Sequence, residues 1–153
     1  MEVLEVVIAE RIHSAIDRVW SVEQERRYLE SLSARATVHV AVNIEDGIIG
    51  LQILDLWSPL LHSMSHVGEL GTFLLPAWRG AGVGKRLWEA SRPFALEAGY
   101  RKLVIQVRAS NLAAQSYYRG IGFRECGRLT GQVLLDNVED DEILMECFLQ
   151  RGA

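Results

Sequence analysis

One stretch constrains the fold of this chain more than any other. Arg79-Gly80-Ala81-Gly82-Val83-Gly84-Lys85 places alternating glycines between two segments of different period. Before it, residues 66–75 read as a strand closed by Pro76. After it, Val83, Leu87, Ser91, Phe94 and Ala98 fall on one helical face, with Gly99 as C-terminal cap. A strand, a glycine turn and a helix in this order let several backbone N–H groups converge where no Cβ blocks a ligand. The helix start adds unpaired N–H groups and about half a positive charge. Arg79, Lys85 and Arg86 bring cations to the same corner. The segment predicts a phosphate or diphosphate site on the amides of residues 80–85. Two familiar nucleotide motifs fail on spacing. A dinucleotide fingerprint needs a glycine where Lys85 or Leu87 stands. A P-loop needs glycine where Arg79 stands and Ser or Thr where Arg86 stands.

The remainder predicts a single domain over residues 1–153, since a second independent core does not fit this length. No apolar run reaches the ~18–20 residues that cross a bilayer. Residues 48–61 come nearest, and Gln52, Asp55 and Pro59 interrupt them. Met1-Glu2-Val3-Leu4-Glu5 lacks the basic stretch of a secretory signal, so a cytoplasmic protein is expected. A net charge of −4 argues against a nucleic-acid partner. Cys126 and Cys147 lie far apart with no metal-ligand spacing and read as small buried apolar residues; no metal is expected.

Along the chain, the β-branched residues 3–9 predict a first strand. Ile12, Ile16 and Val19, then Leu29 and Leu32, predict two short helices with a break near residues 21–25. Residues 37–44 and 48–57 form a hairpin signal around Glu45-Asp46-Gly47. Pro93 lies inside the helix after the glycine turn, where a lost hydrogen bond predicts a kink near residues 89–92 or an early end. Residues 102–108 read as a strand, 111–120 as a helix, and 123–134 and 143–149 as a closing strand pair. Hairpins mixed with βαβ crossovers predict an α/β fold: a mixed, mostly antiparallel sheet with helices on both faces.

At this point the sequence resembles the GNAT superfamily of acyl-CoA-dependent N-acetyltransferases. Arg79, Gly82 and Gly84 fit that family's Gln/Arg-x-x-Gly-x-Gly/Ala motif, with Pro76 before it. A second block follows in the family's order: Val107-Arg108-Ala109-Ser110-Asn111, then Tyr118, then Gly122-Phe123. The two blocks cover about 60 residues. The resemblance implies a sheet splayed between the fourth and fifth predicted strands, with acetyl-CoA in the wedge. Its pantetheine arm would pair with backbone near Thr72, Phe73 and Leu74, its diphosphate with residues 80–85, and Asn111 would help hold the arm. The oxyanion donor would be an N–H near Phe73 or Leu74.

The implied reaction is acetyl transfer to a primary amine, a small metabolite or a protein N-terminus, by direct attack in a ternary complex. An alkyl ammonium needs about 4–5 kcal/mol to be neutral at pH 7, whereas a thiolate leaving group needs only about 2 kcal/mol of help. Base assistance outweighs acid assistance. Tyr118, two helical turns beyond Asn111, is the candidate acid, while Tyr117 points about 100° away and reads as structural. Some relatives carry a catalytic glutamate two residues ahead of Arg108; here that residue is Gln106, which accepts no proton. Glu69 is the best remaining carboxylate, with His66 acting through water, or no side-chain base at all, as alternatives. Trp20, Tyr28, Trp57 and Trp78 are candidates to pack or to line an acceptor pocket. Glu139-Asp140-Asp141-Glu142 reads as a solvated turn, or else as an attractor of a cationic amine. A homodimer is one option for assembly. The competing function is a non-catalytic acyl-CoA-binding sensor on the same fold, which Gln106 favours.

Overall fold

A computed structural model describes residues 2–11 and 14–150. In chain order the elements are α1 (Glu2–Ala9), α2 (Val22–Ser31), β1 (Thr37–Asn43), β2 (Gly47–Leu56), β3 (Val67–Leu74), α3 (Val83–Glu97), β4 (Lys102–Arg108), α4 (Leu112–Gly120), β5 (Arg124–Leu135) and β6 (Val138–Phe148). One six-stranded sheet forms in the order β1-β2-β3-β4-β6-β5. Every neighbouring pair is antiparallel except β3 and β4. That parallel pair holds over only three partners, Val67↔Lys102, Gly68↔Leu103 and Glu69↔Val104. Beyond Glu69 the two strands part, and the sheet opens there. This is the predicted splay, now between the third and fourth strands because the first predicted strand is a helix.

That correction has a packing cause. Val3, Val7 and Ile8 are buried, and the i, i+4 and i+5 spacing is that of one helical face. Segment 2–9 lays this face over β2 and β3, and burial of three large side chains overrides the β-preference of valine and isoleucine. The second correction concerns residues 14–20, which are not helical. Arg11 turns the chain at φ 57°. Ser14 Oγ then accepts from the Ile16 N–H at 3.0 Å, a local bond that competes with helix formation. Ile12, part of the predicted stripe, lies outside the described residues. Only α2 forms, opened by a capping box in which Ser21 and Gln24 satisfy each other's backbone N–H.

Pro93 does not end α3, which continues to Glu97. Leu87, Trp88, Ser91 and Ala95 bury the helix face against the sheet. Large buried side chains contribute about 1.5–3 kcal/mol each, enough to offset the ~3 kcal/mol that an interior proline costs. Gly99, at φ 84°, closes the helix: its N–H donates to Leu96 O and the Tyr100 N–H to Ala95 O, a Schellman arrangement. The core on this side of the sheet joins Trp88 and Ala95 to Leu54, Leu70, Leu103, Ile105, Tyr118, Phe123 and Met145.

The last strand is longer than predicted, while its partner β5 keeps the predicted length. Asp136 and Asn137, at φ 52° and 63°, make a two-residue turn, so residues 139–142 belong to β6 and not to a loop. Cys147 is buried, but Cys126 is exposed at the sheet edge, contrary to expectation. Among the described residues, no helix is long and apolar enough to cross a membrane.

Candidate active site

The open wedge between β3 and β4 leads into a cavity of about 740 Å³. It runs from the glycine turn along β3, past Tyr117 and Tyr118 of α4, to Glu69, Gln106 and Glu142. From Leu74 back to Glu69 is five residues of strand, about 17 Å at ~3.3–3.4 Å each.

At the first end, Gly80 and Gly82 take φ 74° and 80°, and a Cβ on either would meet nothing within 4 Å. Their backbone is therefore bare to the cavity. Gly82 is the N-cap of α3, and the first helical bond runs from the Arg86 N–H to Gly82 O at 3.1 Å. The amides of residues 83–85 precede that bond and have no intrahelical partner. Gly80, Gly82, Gly84 and Lys85 line the cavity; Ala81 and Val83 do not. Gly84 has a second role. A Cβ there would stand 2.8 Å from the Tyr117 ring, whose hydroxyl donates to Gly84 O at 2.8 Å and accepts from Gln52 Nε2 at 3.3 Å. Tyr117 thus fastens the helix start to the sheet.

Arg79 lines the cavity beside the turn, and its guanidinium is engaged within the protein. Its guanidinium makes two bonds to Glu10, at 2.8 and 2.6 Å, and two to Leu74 O, at 3.2 and 3.0 Å. Its charge is compensated by Glu10, and it clamps the end of β3 to the residue following α1. Lys85 and Arg86 remain exposed.

The middle of the cavity is backbone. The ladder between β2 and β3 is phased by Leu75 N–H→Ile49 O at 2.9 Å and Trp57 N–H→Val67 O at 3.1 Å. Alternation then turns the N–H and C=O of Phe73 and Gly71 towards β2, and those of Thr72 and Leu74 into the wedge. Phe73 lines the cavity, but its N–H and C=O face β2, so the strand backbone open to the wedge is that of Thr72 and Leu74. With Leu74 O taken by Arg79, the Leu74 N–H and the Thr72 backbone face the opening. Asn111 is buried beside it, and its Oδ1 caps α4 by accepting from the Ala114 N–H at 3.0 Å.

Tyr118 is buried, with Thr72 within hydrogen-bonding reach, and burial pushes its hydroxyl well above the ordinary tyrosine range. At neutral pH it is a neutral O–H donor. Glu69 opens to solvent through the cavity mouth, yet its carboxyl is raised above the usual range. Loss of hydration on its inner side is the main cause, and the negative charges of Glu142 and Asp55 add to it. Asp55 is held by the Ser33 hydroxyl and N–H. Glu142 is only 8% exposed, and burial raises its carboxyl too. His66 and the aromatic candidates Trp20, Tyr28, Trp57 and Trp78 do not line the cavity; Trp20 packs edge-on against Tyr28. No cluster among the described residues could hold a metal ion.

A sequence profile described as the acetyltransferase (GNAT) family matches residues 7–123. The chain belongs to that family. This GNAT chain is 36% identical to aminoglycoside N(6')-acetyltransferase type 1 of Stenotrophomonas maltophilia over 66 residues, 42% of its own length and 43% of the relative's. The match thus spans less than half of that curated protein. The phosphinothricin acetyltransferase of Sinorhizobium meliloti, solved in complex with acetyl-CoA, superposes with a TM-score of 0.89 at 16% identity, over 99% of this chain and 82% of the other. The ribosomal-protein-alanine N-acetyltransferase of Brucella melitensis gives 0.86 at 22% identity, over 97% and 91%. These two likenesses establish a shared GNAT fold, carried by proteins whose named acceptors differ widely.

Gln52 and Glu10 are not singled out as site residues by the sequence, and Glu142 enters there only within the acidic run 139–142. For Glu142 a signal existed: Asp136-Asn137 as a hairpin turn would have extended the last strand back through the acidic run.

Proposed function

We propose that this chain moves an acetyl group from acetyl-CoA to a primary amine by direct attack in a ternary complex. One observation carries the reading: a single cavity joins an anion cradle of bare backbone to a wet carboxylate, through a gap in the sheet that leaves strand amides unpaired. The residues present fit the coenzyme. Glycines at 80 and 82 expose the amides that a diphosphate needs, and the β3 edge offers Thr72 and Leu74 to an extended amide-bearing arm. When bound, the thioester supplies an activated carbonyl carbon.

The chain's residues then divide the work. Glu69 accepts the proton that the ammonium must lose, and its raised affinity for protons narrows the gap to an amine of pKa ~10.4. The Leu74 N–H, fixed in the open strand edge, stabilises negative charge on the carbonyl oxygen as nitrogen bonds to carbon. Tyr118 donates a hydrogen bond to the sulfur as the C–S bond breaks. Its hydroxyl binds its proton more tightly than a thiol of pKa ~8.5 does, so stabilisation of the thiolate and not full proton transfer is its contribution. The acidic lining suits a cationic small amine, the class to which the substrate named for the Stenotrophomonas relative belongs.

Incubation with acetyl-CoA and a panel of amines, reading free thiol, tests the reading; thiol release that depends on the amine is expected. Gln106 at the alternative base position favours a second reading, an acyl-CoA sensor. Tight coenzyme binding with no thiol release for any amine would support that sensor and reject the transferase.

A further inference from the structure

The reaction proposed above uses one carboxylate, yet the cavity holds two. Glu142 sits in β6 directly across from Arg108 of β4, and Gln106 pairs with Leu144 in the same ladder. Residues opposed in a ladder share a face, so Glu142 and Gln106 project to the same side of the sheet. Glu69, opposite Val104, joins them there from β3. The two glutamates thus flank Gln106, offset by about 13 Å along β4 at ~3.3 Å per residue and by two strand spacings of ~4.8 Å across it. That is about 16 Å between backbones, which the two side chains shorten by leaning inward.

Among the described residues, no cationic side chain pairs with Glu142. Its cross-strand neighbour Arg108 donates to Asp140 at 2.8 Å and to Arg11 O at 2.7 Å instead. Arg128 is taken by Asp141 at 2.6 Å. Among the described residues no hydrogen bond or ion pair reaches the Glu142 carboxylate, although the residue is more than nine-tenths buried and lines the cavity. Its carboxylate oxygens keep some contact with the cavity, since Gln52 Oε1 is the fully buried side-chain atom without a partner among the described residues. A carboxylate so placed, mostly shielded yet open to the cavity, attracts a cation more strongly than one in bulk water. The missing partner points to a cation that arrives from outside. Glu69 and Glu142 stand opposite different residues of β4, on either side of Gln106, which gives each its own place for a cation.

We propose that Glu142 binds a second positive charge on the acceptor, so that the chain prefers short diamines, with one ammonium at Glu69 and the other at Glu142. This rests on the acetyl-transfer reading, with the reacting nitrogen placed beside Glu69. Gln106 lies between the two carboxylates with an amide in place of a third charge, and so spans the uncharged chain of the acceptor.

The test compares 1,5-diaminopentane with 1-aminopentane, which differ only in the distal ammonium. The native chain should show a kcat/KM for the diamine at least about tenfold above that for the monoamine. In Glu142→Gln that ratio should fall to near one, while the affinity for coenzyme A, a control for folding, stays native. A native ratio near one, or a ratio that survives Glu142→Gln, overturns the proposal. A separate titration keeps the two readings distinct. With coenzyme A bound no acetyl group is present, and 1,5-diaminopentane should still bind, about tenfold more weakly to Glu142→Gln. If the native protein turns over no amine but this binding difference holds, the transferase reading fails and the cation site stands. If the diamine binds both proteins equally, or neither, the site is rejected whatever the activity.

Discussion

At one end of the cavity the groups offered to a ligand are backbone amides of the glycine turn; at the other they are side chains carried by three different strands. The first end is local. Six consecutive residues and one helix start build it, so its geometry depends on φ angles near 74–80° that glycine alone adopts at little cost. The second end is assembled by strand order: Glu69 on β3, Gln106 on β4 and Glu142 on β6 meet only because the sheet runs β3-β4-β6. A site made of backbone is set by few residues and changes little when side chains vary. A site made of side chains can be rewritten strand by strand while the coenzyme cradle persists.

The sharpest way to break this contrast is to put charge where backbone is bare. Asparagine and aspartate both tolerate the left-handed conformation of Gly82, so the pair separates strain from repulsion. Gly82→Asp should weaken acetyl-CoA binding by about 10³-fold relative to Gly82→Asn, since like-charge contact costs several kcal/mol. Calorimetric titration reads it. Equal affinities for the two variants would mean that no diphosphate lies on this turn.

Next in size is Glu69→Gln. Loss of the proton acceptor should lower kcat by about 10²-fold, with acetyl-CoA affinity unchanged. The sign with pH follows from the raised carboxyl. Activity needs its ionised form, so the native rate climbs with pH through a limb above 4.5, the ordinary value, and the variant loses that limb. A variant that keeps the limb would pass the role to water or to another group. Tyr118→Phe should be milder. A thiolate needs only about 2 kcal/mol of help at pH 7, which caps the loss in kcat near 30-fold. A drop of 10³-fold or more would show that Tyr118 does more than stabilise the departing sulfur.

The same contrast explains what was legible in the sequence. Residues 79–85 announce themselves because the spacing of three glycines is itself the structure, and the strand and helix on either side follow from period. Segment 2–9 did not, because its three buried residues fit a helix face and a β-branched run equally well until a sheet exists to bury them. The run at 139–142 hides its content in the same way. Asp140 pairs with Arg108, Asp141 with Arg128, and Glu142 faces the cavity. Four adjacent acids have distinct surroundings only once β6 alternates between partners. Gln106 was readable as a departure from the family pattern, but what stands beside it depends on strand order, which no local spacing encodes.

Arg79 carries the comparison to its smallest expected effect, because it lies at the glycine end yet acts through a side chain. Its pairing with Glu10 is bidentate and only about a quarter exposed on either side, so the pair contributes about 1 kcal/mol to stability. Glu10→Gln should therefore lower Tm by about 2–4 °C. It should also leave the guanidinium with an uncompensated charge next to the turn, tightening acetyl-CoA binding by about two- to fivefold at low salt. Added salt should erase that gain, because the attraction is long-range and screened. If Arg79 instead already faces the diphosphate when coenzyme binds, the gain will be absent. Glu10→Gln would then lower Tm in the free protein but not in the coenzyme-bound one. Melting the native chain and the variant, each with and without coenzyme, separates the two arrangements.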